Sequence, residues 1–244
     1  MAVDRRPPPP VPGGTVLRWG IPDFGIAWIA GVIVGAIAAA PFAPAAGAPK
    51  RDDVASTVVA LFVQSFVSLG VAWWISNAKG RRSLTTDFGF RWDWRDSGWV
   101  VGGVVLAYLA AAALYPLNQL LPSNSGQAVV DTFKASTGGE TALFVIGVLL
   151  VAPTVEELLF RGMLLRGLLR RIPPGSAVTV SALVFAVVHP LLDPSLGTVV
   201  AVPALFALGL LSGYEAVRTG GLSRSIALHA GFNLLTVVSV LTSR

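Results

Sequence analysis

Seven long apolar runs, divided by short polar stretches rich in Arg, Gly and Pro, occupy most of this chain. They lie at about 20–42, 54–76, 97–120, 141–165, 175–192, 197–217 and 222–241. A helix needs about 20 apolar residues to cross a hydrocarbon core, and each run comes close to that or exceeds it. Apolar side chains fill all sides of these runs, as in helices that meet lipid or a bundle interior and not water. The expected fold class is therefore all-α, a polytopic integral membrane helical bundle. The fifth run is the shortest, and Pro190 is expected to end it. The opening stretch MAVDRRPPPPVPGGT has too few apolar side chains to bury a core. Residues 1–19 are expected to be a disordered Pro-rich cytoplasmic tail. APAAGA after the first run looks like a small-residue cleavage site, but the apolar stretch before it exceeds the 7–15 residues of a signal peptide and reads as a span. No internal repeat is visible.

Composition agrees with the pattern. The chain is 54% hydrophobic and 13% charged, whereas soluble domains are about 45–50% apolar and about 25% charged. It has no cysteine, so disulfides, thiolate ligands and a cysteine nucleophile are excluded. A net charge of +5 could suggest nucleic acid, but the basic residues fall in short connections and form no single stripe. They read as topology signals, and no nucleic-acid partner is expected. With the N-terminus inside, thirteen Lys and Arg lie in inner connections and tails and four in outer ones. This gives an inner-membrane orientation with the N-terminus cytoplasmic and the C-terminus outside. Trp19, Trp73, Trp74, Trp92, Trp94 and Trp99 fall near the same inner ends, where an interfacial role is expected. The loop NAKGRRSLTTDFGFRWDWRD then reads as a cytoplasmic, headgroup-facing connection.

The polar exceptions inside the spans cluster late. Glu156, Glu157 and Arg161 interrupt the fourth run, His189 lies near the end of the fifth, and His229 and Asn233 interrupt the seventh. Ionisable groups in lipid are costly, about 2.5–3.5 kcal/mol each on insertion scales, and so mark functional sites with partners. Glu157 and Arg161 are one turn apart and share a face, while Glu156 points about 100° away and is left free. Phe185 with His189, and His229 with Asn233, repeat the one-turn spacing. A carboxylate, two imidazoles and a carboxamide can thus meet in one cavity. There the carboxylate can act as general base on water, with imidazole and amide donors for an oxyanion. Alternatively Glu156, His189 and His229 could ligate one divalent ion such as zinc; the cofactor is left open between none and one metal. The structural reading of the same residues is an intrahelical ion pair, packed histidines and an Asn that bonds a neighbouring helix. Straight helices would set Glu156, His189 and His229 at different depths, roughly 15, 20 and 10 Å from their inner ends, so convergence requires tilt or stagger.

EELLFR (156–161), FAVVH (185–189) and HAGFN (229–233) resemble, in order, the EExxxR, FxxxH and HxxxN motifs of the CPBP intramembrane proteases, or Abi family, which includes the type II CAAX prenyl endopeptidases. YEAVRTGGLSRSIALHAGFN also resembles that family's last motif region. The resemblance covers about residues 140–241. It implies an intramembrane endopeptidase in which Glu156 activates water, His189, His229 and Asn233 complete the site, and Glu157 and Arg161 support it. Both a metalloprotease and a metal-free glutamate mechanism fit. The Ala/Gly/Pro/Arg-rich composition looks like that of a high-GC bacterium, where proteins are generally not prenylated. The implied partners are the lipid bilayer and a membrane-associated protein or peptide substrate. The expected division is the tail 1–19, N-terminal membrane helices 20–139 and a catalytic membrane core 140–241. HExxH, GxGD and the rhomboid GxSG are absent. The alternative is a non-catalytic membrane immunity or binding protein that retains the polar cluster.

Overall fold

The structure, a computed structural model, describes residues 18–45, 51–122 and 126–243. The expected tail lies outside the described residues except for its last two positions, as do part of APAAGA and the basic residues Arg5, Arg6, Lys50 and Arg244. Among the described residues every regular element is helical. The helices are α1 (Ile21–Ala39), α2 (Val54–Lys79), a short α3 (Leu84–Phe88), α4 (Trp99–Asn118), a short α5 (Ala128–Ala135), the composite α6 (Gly138–Leu169), α7 (Pro174–Leu192), α8 (Leu196–Thr219) and α9 (Ser223–Thr242). Short 3-10 turns, Ala40–Phe42 and Trp94–Gly98, extend α1 and precede α4. Seven helices are long and apolar enough to cross a membrane, each within a few residues of the expected run.

Local chemistry sets several ends. Thr137 and Glu140 form a capping box at the start of α6, which satisfies two backbone donors reciprocally. Ser195 caps α8 by accepting from the Thr198 N–H. Gly220 ends the same helix in the left-handed region at φ 66°, where glycine carries no Cβ penalty. Pro190 does not end α7: the helix runs to Leu192, and the Asp193 N–H bonds the His189 carbonyl. A proline so near the C-terminus removes one bond without breaking the turns before it.

α6 lies at the centre. Residues 158–165 are all buried, which explains its all-round apolar sequence. Small residues bring the other helices together in pairs. Ala27, Gly31, Gly35 and Ala39, four apart, bury one face of α1, and a Cβ on Gly31 would meet the Gln64 carbonyl of α2 at 2.8 Å. Such faces let membrane helices approach closely where no hydrophobic force separates them from lipid. α4 and α9 meet at two glycines: a Cβ on Gly103 would collide with the Leu228 carbonyl, and one on Gly231 with the Val100 carbonyl.

The helix ends are chemically asymmetric. Arg91, Arg166 and Arg170 donate to the carbonyls of Thr219, Gly220 and Trp19 at 2.9, 2.6 and 2.7 Å. Arg224 pairs with Asp96 and Glu215 at 2.8 and 3.1 Å, and Lys79 with Asp23 at 2.6 Å. These gather the basic connections at one end of the bundle. The opposite end holds the Arg51–Glu140 pair and Asp193, which accepts from the Ala128 N–H at 3.1 Å. Two expectations about the basic end need correction. Trp19 is no interfacial anchor: it is buried, edge-on to Phe88 at 4.9 Å and beneath the Arg170 guanidinium at 4.0 Å. The loop before α4 is not wholly headgroup-facing either. Phe88 is fully buried, and buried Asp87 accepts from Ser76 Oγ at 2.6 Å and the Arg81 N–H at 2.9 Å.

Candidate active site

The site forms on α6, whose backbone is not a regular α-helix. α-helical turns at Gly138–Ile146 and Ala152–Glu157 alternate with wider π turns at Gly147–Val151 and Leu158–Leu165. Such π segments recur at functional positions. Pro153 gives one cause. In the first π turn the Ala152 N–H bonds the Gly147 carbonyl, five residues back. The next such bond, to the Val148 carbonyl, would need an N–H at position 153, and proline has none. The Asn233 side chain fills the gap: its Nδ2 donates to Val148 O at 2.9 Å. Asn233 is therefore brought onto α6, but onto the backbone of its π turn, two turns before Glu156.

The other five expected residues come together. Glu157 Oε2 lies 3.2 Å from Arg161 Nε, and both side chains are fully buried. The pair is close but not aligned as a hydrogen bond, and the guanidinium nitrogens have no directed partner among the protein atoms. The Arg161 guanidinium instead stacks on Phe185, 4.3 Å from the ring centroid. Glu157 Oε1 meets His229 Nδ1 at 3.0 Å. Glu156 Oε2 sits 3.9 Å from His189 Nε2 and 3.8 Å from His229 Nε2. These distances are too long for direct hydrogen bonds, and Glu156 Oε2 is a buried atom with no protein partner. His189 Nδ1 is 2.7 Å from the Phe185 carbonyl. A carbonyl only accepts, so Nδ1 carries the proton and a neutral His189 turns a bare Nε2 toward Glu156.

The stagger anticipated from sequence is resolved by register and side-chain direction. The Arg166–Gly220 bond sets the ends of α6 and α8 at one level. By helical rise Glu156 lies roughly 15 Å before Arg166, and His229 roughly 9 Å beyond Ser223, where α9 begins. Ser181 Oγ donates to the Phe160 carbonyl at 3.0 Å and sets the level of α7. His189 then lies on the order of 6 Å beyond Glu156 by helical rise. Side chains lean toward a helix N-terminus. α6 begins at the opposite end from α7, so the Glu156 and His189 side chains lean toward each other and close the gap.

Three further residues contribute, of which Gln64 and Ser68 were not expected. Phe185 is fully buried at the junction, edge-on to His189 and His229 at 4.8 and 5.6 Å, and it carries Arg161 on its face. Its signal was present in FAVVH as the partner one turn before His189. The second and third are Gln64 and Ser68 of α2. They share with Glu156 and His189 the lining of a cavity of about 80 Å³, so the N-terminal helices supply one wall. Gln64 is as much a polar exception in its apolar run as His189 is in its own. Two imidazole nitrogens and a carboxylate are donor types that suit a divalent ion. Yet among the described residues no three His, Asp or Glu side chains are arranged to hold one.

Fold and site together define a multi-pass membrane protein with a polar cluster in its helix bundle, in which Glu157, Arg161 and His229 are buried and Glu156 and His189 partly exposed. Residues 138–235, less than half of the chain, match the family model described as Type II CAAX prenyl endopeptidase Rce1-like. The matched stretch runs from the first residue of α6 to two residues past Asn233. No curated protein and no solved structure matches the chain.

Proposed function

We propose that this protein is an intramembrane endopeptidase that cleaves a membrane-associated protein or peptide, with water activated by Glu156. The observation that carries the reading is the carboxylate of Glu156 facing two imidazole Nε2 atoms at 3.8 and 3.9 Å, beside a cavity that Glu156 and His189 line. A water in that gap donates one hydrogen to Glu156 and the other to the bare His189 Nε2, and its lone pair is left for the scissile carbonyl. As the C–O bond forms, Glu156 takes the proton and the carbonyl oxygen becomes an oxyanion. Glu156 then protonates the departing amine as the C–N bond breaks.

Charge count assigns the oxyanion donor. Glu156 and Glu157 contribute two negative charges and Arg161 one positive. His229, held by Glu157 through Nδ1, turns its Nε2 toward Glu156; an imidazolium there would bring the cluster to neutrality and supply an Nε2–H in the gap. That donor stabilises charge that develops only in the transition state. Asn233 holds the π turn that presents Glu156, and its second N–H remains for the oxyanion. The proposed setting is a bacterial plasma membrane with the N-terminus cytoplasmic, supported by the gathering of basic residues at one end of the bundle. The family description names prenylated CAAX substrates for the proteins it covers; here the proposed class is the broader membrane-associated peptide.

The test compares new N-termini, by N-terminal proteomics, in membranes holding equal amounts of wild-type protein and Glu156→Gln. Cleavage products confined to the wild type support the reading. Identical patterns from two folded proteins would overturn it in favour of a binding or immunity role. Product formation by wild type after treatment with a zinc chelator separates the two mechanisms: it persists if the proton balance above holds, and stops if a metal is required.

A further inference from the structure

We propose that the cleft at the basic end of α1, α2 and α6 binds the phosphate of an anionic phospholipid. This inference is independent of the hydrolytic reading and uses none of its residues. The cleft encloses about 760 Å³ and is walled by Arg18, Lys79, Arg81, Arg170 and Arg171, with Asp23 as the acid among its lining residues. Asp23 is already engaged: Oδ1 accepts from Lys79 Nζ at 2.6 Å and Oδ2 from the Gly20 N–H at 2.8 Å. Among the described residues, four guanidinium groups thus line the cleft without a carboxylate of their own. Burial, and next the adjacent Arg171 charge, lower the pKa of Arg170 from its ordinary value, with Asp23 opposing them. An anion between these guanidinium groups relieves that repulsion, and their planar forks match phosphate oxygens in pairs.

The apolar surroundings choose a lipid over a free anion. Ile26 lines the same cleft. From it Ile26, Ile29, Ile33 and Ile37, each at least half exposed, continue along α1 at spacings of three and four residues. Residues so spaced lie on one face. A headgroup in the cleft therefore has an acyl-chain track directly beside it. Basic pockets between membrane helices hold anionic headgroups by this combination.

The test is titration of the purified full chain in detergent with dioleoyl phosphatidylglycerol, dioleoyl phosphatidylcholine or inorganic phosphate, with bound species counted by native mass spectrometry. Tight, saturable binding of phosphatidylglycerol alone is expected. It should weaken about thirtyfold in Arg81→Gln/Arg171→Gln, from about fivefold per removed cation. Arg18→Gln serves as a second variant should the first unfold. Lys134→Gln, a cation at the opposite end of the bundle, should bind as the wild type does. Unchanged phosphatidylglycerol affinity in folded cleft variants overturns the proposal. So does equal binding of inorganic phosphate or of phosphatidylcholine, which would make the site a free-anion pocket or a non-selective lipid contact.

Discussion

Arg161→Met asks the sharpest question of the polar cluster. The guanidinium is about 1% exposed and Glu157 is fully buried, so its removal leaves the Glu157 carboxylate in a low-dielectric interior. Removing one partner of a buried ion pair costs about 3–5 kcal/mol, and losing the cation over Phe185 adds about 0.5–2 kcal/mol. At about 2–4 °C per kcal/mol for a chain of this size, the summed loss of about 3.5–7 kcal/mol should lower thermal unfolding in detergent by roughly 7–28 °C. Glu157→Gln placed in the same background removes the orphaned charge. The double variant should be more stable than Arg161→Met alone, with a coupling of at least about 1 kcal/mol in the double-mutant cycle. If Arg161→Met melts within about 2 °C of the wild type, or if the two substitutions simply add, the buried pair is not what holds this part of α6.

Other predictions follow from single contacts. Asn233→Leu orphans the Val148 carbonyl, so it should lower stability by about 1–3 kcal/mol; Pro153→Ala, which restores an N–H, should recover much of that loss in melting experiments, whereas activity stays low if the second amide N–H serves the oxyanion. Gly231→Ala forces a methyl into the Val100 carbonyl and should destabilise the α4–α9 contact by about 1–3 kcal/mol, measured by unfolding, with no compensation from larger side chains at that position. Gln64→Leu should leave unfolding unchanged and reduce kcat/KM about fivefold if its amide binds substrate, the worth of about one hydrogen bond. For Asp193, burial raises its pKa, but bonds from Ser195, Thr198 and the Ala128 N–H outweigh it and hold the carboxyl below its ordinary value. The stability it confers is therefore fully present above the unfolded pKa of about 3.9 and lost as pH falls through the lower folded value. The melting-temperature advantage of wild type over Asp193→Asn should hold from neutral pH down to about 4 and shrink below it.

The fold class and the seven spans were legible in the chain because a bilayer imposes length and apolarity directly on sequence. The charged and imidazole residues were legible for a related reason: Glu156, Glu157, Arg161, His189 and His229 are costly in lipid, and so they stand out against it. Their one-turn spacings also anticipated the Glu157–Arg161 pair, because helical geometry is local. What the chain did not disclose depends on distant contacts. The π turns of α6 follow from a proline whose missing N–H is answered by Asn233, 80 residues further on. The meeting of His189 with Glu156 rests on opposed helix directions and on register set by Ser181 and Arg166. Trp19 looks like an interfacial anchor in sequence and is buried only because Phe88 and Arg170 close over it. Gln64 gains a place at the site because α1 and α2 pack through small residues against the central helix. Sequence determined which groups had to be sheltered from lipid; tertiary packing decided which of them face one another, because helix ends, glycine contacts and side-chain lean act across the bundle and leave no periodic trace along the chain.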